Sequence, residues 1–304
     1  MGSTLKELSA KFAVQQLEQV DQLTEEAPVL AVIPFEKASH GLWNMYEEVD
    51  EIQGAGWVEM NGPLPAVDVS GNLRKVDLSI LGGEIECPED TAKLFGGKES
   101  YFSRKLPKVL RKSGMSAEER ILYDNFRAYS LKNKTAADCG ATADGCYSIL
   151  AVRFISGETC GLYSPECFVK GTLLDSTGIN DGALYKAPTG KHQGILVYGM
   201  RLKAYLGLQI AGRNSVASLV NISAQKQPTE AMIDDLLASV RAGSGNTYLF
   251  MHEKVRNMLF RYKQTALHIT PDSKELDRRI SHWNGIEIIT SYNFKDGAEK
   301  KVVL

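Results

Sequence analysis

The side chains that could do chemistry are few, and their spacing fits no catalytic template. Cys139 and Cys146, then Cys160 and Cys167, repeat one spacing, with six residues between partners. Paired zinc ligands stand roughly two to four residues apart, so these thiols are expected to be free and to pack as small hydrophobes. The total of five cysteines is odd, unlike a secreted disulfide framework. His252-Glu253 opens like a zinc-protease helix, but Arg256 stands where the second histidine is required. No GxxxxGK phosphate loop, no GxGxxG after a strand and no GxSxG elbow occurs. Ser3 and Ser223 each have a lysine three residues on, a match that arises easily by chance. His40, His192, His252, His268 and His282 are scattered without ligand spacing and read as surface or hydrogen-bonded histidines. The acidic pairs Glu25-Glu26, Glu47-Glu48, Glu118-Glu119 and Asp234-Asp235 are explained by solvation at helix starts and polar faces. Asn133-Lys134-Thr135 and Asn221-Ile222-Ser223 match the glycosylation pattern, which is idle in a cytosol. The expectation is a protein with no catalytic residues, cofactor or metal, and not an enzyme.

Composition excludes several classes. With 304 residues, 43% of them hydrophobic, the chain can bury a real core in one large or two modest domains. A net charge of -2 gives no strongly basic nucleic-acid surface overall. No apolar run approaches the roughly 18 residues that would span a bilayer. The opening Met1-Gly2-Ser3-Thr4-Leu5-Lys6 lacks the apolar stretch of a signal peptide, and Lys6 breaks the myristoylation pattern. A protein made and kept in a cytoplasm is expected.

The elements come in a definite order. Residues 3–26 are helix-prone, with Leu5, Leu8, Phe12, Leu17, Val20 and Leu23 as a ragged apolar face. The segment Ala27 to Phe35 is apolar, and its two prolines predict an extended strap. Trp57-Val58-Glu59-Met60 and Lys75 to Leu81 read as the legs of a long hairpin with a turn-rich tip between them. Pro88-Glu89-Asp90 marks a helix start. Lys98 to Lys132 reads as a long spine interrupted by Pro107, with Ser116-Ala117-Glu118-Glu119 as a capping box for its second part. Tyr147 to Ile155 and Thr159 to Tyr163 then read as two strands joined at Ser156-Gly157. Further strands are expected at Phe168 to Leu174, Ile195 to Gln209 and Ser215 to Ile222, with a Gly-rich loop at 176–194. A helix from Pro228 to Gly243, a strand at Thr247 to Met251, a helix at Glu253 to Tyr262 and a strand at Ile286 to Ser291 complete the chain. Helices and strands mix without a βαβ rhythm, so the fold class is α+β.

That order resembles the tailed-bacteriophage major capsid proteins with the HK-97-like fold. Pro28-Val29-Leu30-Ala31-Val32-Ile33-Pro34-Phe35 resembles the strap that closes that family's N-terminal arm. The step from Trp57 through Lys75-Val76-Asp77-Leu78 to Gly82-Gly83-Glu84 resembles its E-loop returning to the spine. Tyr198-Gly199, Leu206-Gly207-Leu208-Gln209 and Val220-Asn221-Ile222 resemble the strands leading into its axial domain. Tyr248 to His252 running into Val255-Arg256, then Gly285 to Ile289, resembles the close of that domain. The resemblance implies an N-terminal arm at 1–44, an E-loop at 45–87, a peripheral domain with the spine helix at 88–195, an axial domain at 196–289 and a C-terminal return at 290–304.

The function it implies is that of a shell subunit, with pentamers and hexamers enclosing double-stranded DNA in a virion assembled in the host cytoplasm. Partners would be copies of the same chain, a separate scaffolding protein, a portal protein, a decoration protein and, without base readout, the packaged DNA. Apolar or β-prone sequence that its own segment cannot bury is expected to lie on neighbours: Leu30, Val32, Ile33, Phe35, Trp57, Met60, Leu64, Val76 and Leu78. Some relatives crosslink a loop lysine; nothing around Lys75 marks it as reactive. Two rivals predict other features: an encapsulin-type compartment a cargo groove, and an α+β enzyme one deep polar pocket.

Overall fold

The computed structural model describes residues 2–12, 14–52, 56–58, 60, 69–212, 214–266 and 281–304. Helix α1 (Leu5–Ser9) begins at Thr4, whose hydroxyl accepts from Glu7 N while the Glu7 carboxylate accepts from Thr4 N at 2.9 Å, a reciprocal capping box. Helix α2 (Val14–Thr24) follows, and then α3 (Pro28–Val32), where the two prolines predicted an extended strap. The expectation fails because Pro28 occupies the first helical turn, where a missing N–H costs nothing, and Pro34 lies beyond the helix end. Strand β1 (Phe35–Lys37) ends this segment.

Strands β2 (Trp43–Ile52) and β3 (Val69–Asp77) form a two-stranded antiparallel hairpin registered from Trp43 opposite Asp77 to Ile52 opposite Val69. The first leg is therefore 43–52, not the expected 57–60, which lies toward the tip. Its run of charges hides it, since a ribbon without a buried face has no need of apolar alternation. After Leu78 the chain continues as β4 (Ser79–Pro88) and joins a larger sheet.

Helix α4 (Glu89–Leu94) leads to the spine: α5 (Lys98–Arg120), a π-helical stretch at Ile121–Arg127 and α6 (Ala128–Lys132), without a break. Pro107 lies inside α5 and does not end it. Ser116 caps nothing: it sits mid-helix, and its hydroxyl donates to the Lys112 carbonyl.

The remaining elements are β5 (Ala136–Asp138), β6 (Tyr147–Arg153), β7 (Thr159–Tyr163), α7 (Glu166–Lys170), β8 (Asp175–Gly178), β9 (Tyr185–Lys186), β10 (Leu196–Ile210), β11 (Val216–Ile222), α8 (Glu230–Ser239), β12 (Thr247–Met251), α9 (Glu253–Ala266), β13 (His282–Trp283) and β14 (Ile286–Thr290). Two of them depart from expectation. Helix α7 stands where a strand from Phe168 was expected; it is closed by Gly171, whose φ of 68° is the left-handed conformation that glycine supplies. Strands β6 and β7 are not a hairpin. They share one bridge, Ile155 to Thr159, and then enter different sheets.

One six-stranded sheet runs β1-β7-β10-β4, with β8 and β9 also on β10; the other runs β13-β14-β12-β6-β11-β5. The boundary expected at 195 does not follow these sheets. Strand β6 pairs with β11 and β12 in the second sheet, whereas β10 belongs to the first. Both β7 and β11 are buried along their whole length, which is why they read as continuous apolar runs. The first core joins the N-terminal helices to the spine, β6 and β12 through Leu5, Leu30, Ile33, Leu122, Phe126, Leu150 and Phe250. A second core seals α8 and α9 onto the second sheet, and a third seals the front of the spine onto β4 and β10.

Candidate assembly surface

The nine residues expected at subunit contacts separate into groups. Leu30, Ile33 and Phe35 are 1%, 0% and 3% exposed and belong to the chain's own core, so they offer no surface to a neighbour. Val32 is half-buried against the same core. The reason is the α1–α2–α3 packing: the segment folds back as helices on the spine instead of lying out as a strap. Trp57 and Met60 are fully exposed at 106% and 94%. Leu64 lies outside the described residues. Val76 and Leu78 are half-buried at the hairpin base.

That base is fixed by short-range chemistry. Leu78 N donates to the Leu42 carbonyl at 2.8 Å, and Asn44 Nδ2 donates to Gln209 Oε1 on β10 at 2.6 Å. Ser39 N donates to Asn44 Oδ1 at 2.8 Å, and the Ser39 hydroxyl accepts from Met45 N. His40 stacks on Trp43 at 3.5 Å between centroids, with Lys75 Nζ 5.5 Å from the Trp43 ring. A Cβ at Gly207 would lie 2.6 Å from Leu78 Cδ2, so the glycine lets that side chain pack close to β10. Along the ribbon Leu73 and Met45 are exposed together with Trp57, Val58 and Met60. Exposed apolar side chains on a two-stranded ribbon have nothing of their own domain to pack on.

The hairpin and the spine carry opposite charge. Strand β2 holds Glu47, Glu48, Asp50 and Glu51, of which Glu48 pairs with Arg74 at 2.8 Å. Between Tyr101 and Ala117 the spine holds Arg104, Lys105, Lys108, Arg111 and Lys112 and no acid. Arg111 pairs with Glu25 at 2.6 Å. Arg104, Lys108 and Lys112 recur at every fourth residue along one exposed face.

Two buried carboxylates tie the ends of the chain to the spine. Glu118, 0% exposed, accepts from Val29 N at 2.8 Å and Leu30 N at 3.1 Å, and so caps α3, which has no side-chain cap of its own. Its other oxygen accepts from Ser291 Oγ and from Asn293 Nδ2, which also donates to the Glu26 carbonyl. Desolvation raises the Glu118 carboxyl above the ordinary range, and these donors pull against it. Glu299 accepts from Tyr123 OH at 2.7 Å and Ser148 Oγ at 2.9 Å and pairs with Arg127 at 3.2 Å. Burial raises its carboxyl too, with Arg127 opposing. Neither group reaches solvent, so both work as latches and not as acids or bases for a substrate. Sequence reading missed Glu118 because its partners lie 88 to 175 residues away. The acid-free basic run on the spine was legible as composition and could have marked that face.

All five thiols are buried and unpaired, and burial pushes Cys139 up to about 11 and Cys160, beside Glu36, up to about 12. Among the described residues no group of three or more His, Cys, Asp or Glu is placed to hold a metal. No helix among them is long and apolar enough to cross a membrane.

No protein-family model matches the sequence, and no curated protein matches it. Solved structures do match in fold. A chain of the bacteriophage JBD30 capsid superposes with a TM-score of 0.54 at 9% identity, over 95% of this chain and 98% of its own. A chain from the near-atomic structure of bacteriophage Epsilon15 gives 0.53 at 12% identity, over 87% of each. The chain therefore has the HK-97-like fold of tailed-phage capsid proteins, as its order of elements predicted.

Proposed function

We propose that the chain is the major capsid protein of a tailed phage, a non-enzymatic subunit that assembles into pentamers and hexamers around a double-stranded DNA genome. The observation that carries this reading is the hairpin: a ribbon pinned at its base with an apolar tip that its own chain leaves uncovered. Such an element gains stability by lying on another copy. Repetition of one such contact, in which a hairpin meets a different face of the next copy, builds rings. The acidic β2 and the basic face of α5 support a charge-matched pairing of this kind. The fold shared end to end with a phage capsid chain supports it independently. In this reading a separate scaffolding protein and a portal protein are its partners. Assembly takes place in the host cytoplasm.

Electron microscopy of the purified protein, alone and with its scaffold, tests the proposal. Rings or icosahedral particles are expected, and Trp57→Ser with Met60→Ser should leave only dispersed subunits. A monodisperse monomer under all conditions, or full particle yield from the double variant, would overturn it.

A further inference from the structure

A second surface lies at the far end of the spine from the basic face of α5. Tyr123, Arg127, Ala128 and Leu131 form one wall of a groove of about 420 Å³, and the C-terminal segment from Lys295 to Val302 forms the other. Its ionisable groups are Arg127, Lys295, Lys300 and Lys301 against the single acid Glu299, a local charge of four minus one, or +3. The acid does not face the groove as a free charge: its side chain is 0% exposed, held by Arg127, Tyr123 and Ser148. The three lysines are exposed, and none has an ion-pair partner among the described residues.

The lysines stand on a fixed frame. Lys295 N donates to Tyr123 OH at 2.8 Å, and its Nζ lies 4.8 Å from the Tyr123 ring, which also carries the Arg127 guanidinium at 5.5 Å. Lys301 N donates to Asp144 Oδ1 and Val302 N to Asn221 Oδ1, each at 2.8 Å. The backbone is thus pinned at Lys295, Lys301 and Val302, while the Lys295 ammonium lies over the Tyr123 ring and those of Lys300 and Lys301 are exposed.

We infer that this groove binds the phosphates of a nucleic-acid backbone; that the nucleic acid is the packaged genome rests on the shell reading above. Lysines are compact, hydrated point charges that neutralise phosphate without demanding one geometry. A specific protein partner would call for an arginine fork or an aromatic anchor. The only arginine of this groove is engaged with Glu299, and its one aromatic ring lies between two cations. With a chain of net charge -2, affinity for DNA is local to such a site and free of base readout.

The test is anisotropy of a short labelled DNA duplex titrated with the unassembled full-length chain at several salt concentrations, using wild type and the triple variant Lys295→Gln, Lys300→Gln, Lys301→Gln. Wild type is expected to bind at low salt, and the variant's log–log salt slope should be shallower by about 2.7, or ~0.9 per lysine. Thermal melting should confirm that the variant folds, since all three side chains are exposed. An unchanged slope in the variant overturns the inference. So does displacement of the duplex by a polyglutamate peptide at equal charge, which would make the occupant an acidic protein segment. Duplex binding absent from a protein that still forms particles overturns the groove and leaves the shell reading standing. Lysine-dependent binding by a protein that forms no particles keeps the groove and removes the shell.

Discussion

Two segments near the N-terminus both carry apolar side chains, and these side chains have opposite fates. Residues 5–35 fold as three short helices whose Leu5, Leu8, Val20, Leu23, Val29, Leu30, Ile33 and Phe35 enter the first core. The hairpin of residues 43–77 leaves Met45, Trp57, Met60 and Leu73 in solvent. Apolar sequence outside the two large sheets is thus buried in one segment and exposed in the other. What separates them is a receiving surface on the same chain: α5 and the π-helical stretch for the first, and for the second none among the described residues.

Removing residues 1–35 tests the internal use most severely. Eight buried apolar side chains at about 1.5–3 kcal/mol each match or exceed the roughly 5–15 kcal/mol that holds a domain together. The truncated chain is expected to lose cooperative unfolding in circular dichroism. A sharp melting transition would show instead that these helices form a detachable arm. Glu118→Ala comes next. It leaves the Val29 and Leu30 amides, Ser291 and Asn293 without their acceptor and should lower unfolding stability by about 3 kcal/mol or more. A loss below about 1 kcal/mol in denaturant titration would mean the latch contributes little.

The pH response of that latch is smaller and has a definite sign. Burial raises the folded Glu118 carboxyl above its ordinary value of 4.5, so the folded chain holds this proton more tightly than the unfolded one. The associated stability is complete below the unfolded value and is lost as pH rises through the folded one. Wild type should therefore decline relative to Glu118→Gln as pH is raised from 4.5. A pH-independent difference between the two would refute the assignment. Smallest of all is the effect of Trp57→Ser with Met60→Ser on the unassembled chain. At exposed sites the unfolding free energy should move by no more than about 0.5 kcal/mol. A larger loss would place the tip inside the subunit's own packing.

Much of the architecture was legible because it is local. Thr229 caps α8 through Met232 N, and Ile233, Leu236 and Leu237 face inward as their spacing predicts. Some misreadings are local, as with Pro28 at a helix start and Ser116 inside one, and others come from a long-range partner that overrides a local signal. The Ser116 capping box yields because α5 runs through it, and the Ser116 hydroxyl bonds back to the Lys112 carbonyl. The β6–β7 hairpin yields because β11 and β12 claim one strand and β1 and β10 the other. On the proposed contact surface, exposed Trp57 and Met60 could be named from sequence. Leu30, Ile33 and Phe35 were misplaced because apolarity alone does not say which surface receives it.

The single residue Leu78 separates two very different mechanical parts. Beyond it the ribbon pairs with no third strand among the described residues, whereas behind it β4 runs antiparallel to β10 from Ser79 opposite Leu206 to Pro88 opposite Val197. A pull on the tip along the ribbon is passed down β3 into β4 and loads that ladder lengthwise. Its bonds then share the force at once and do not open one after another like a zipper. A chain built this way resists unravelling when its tip is pulled, because β4, the strand that continues from the ribbon, is anchored along its whole length.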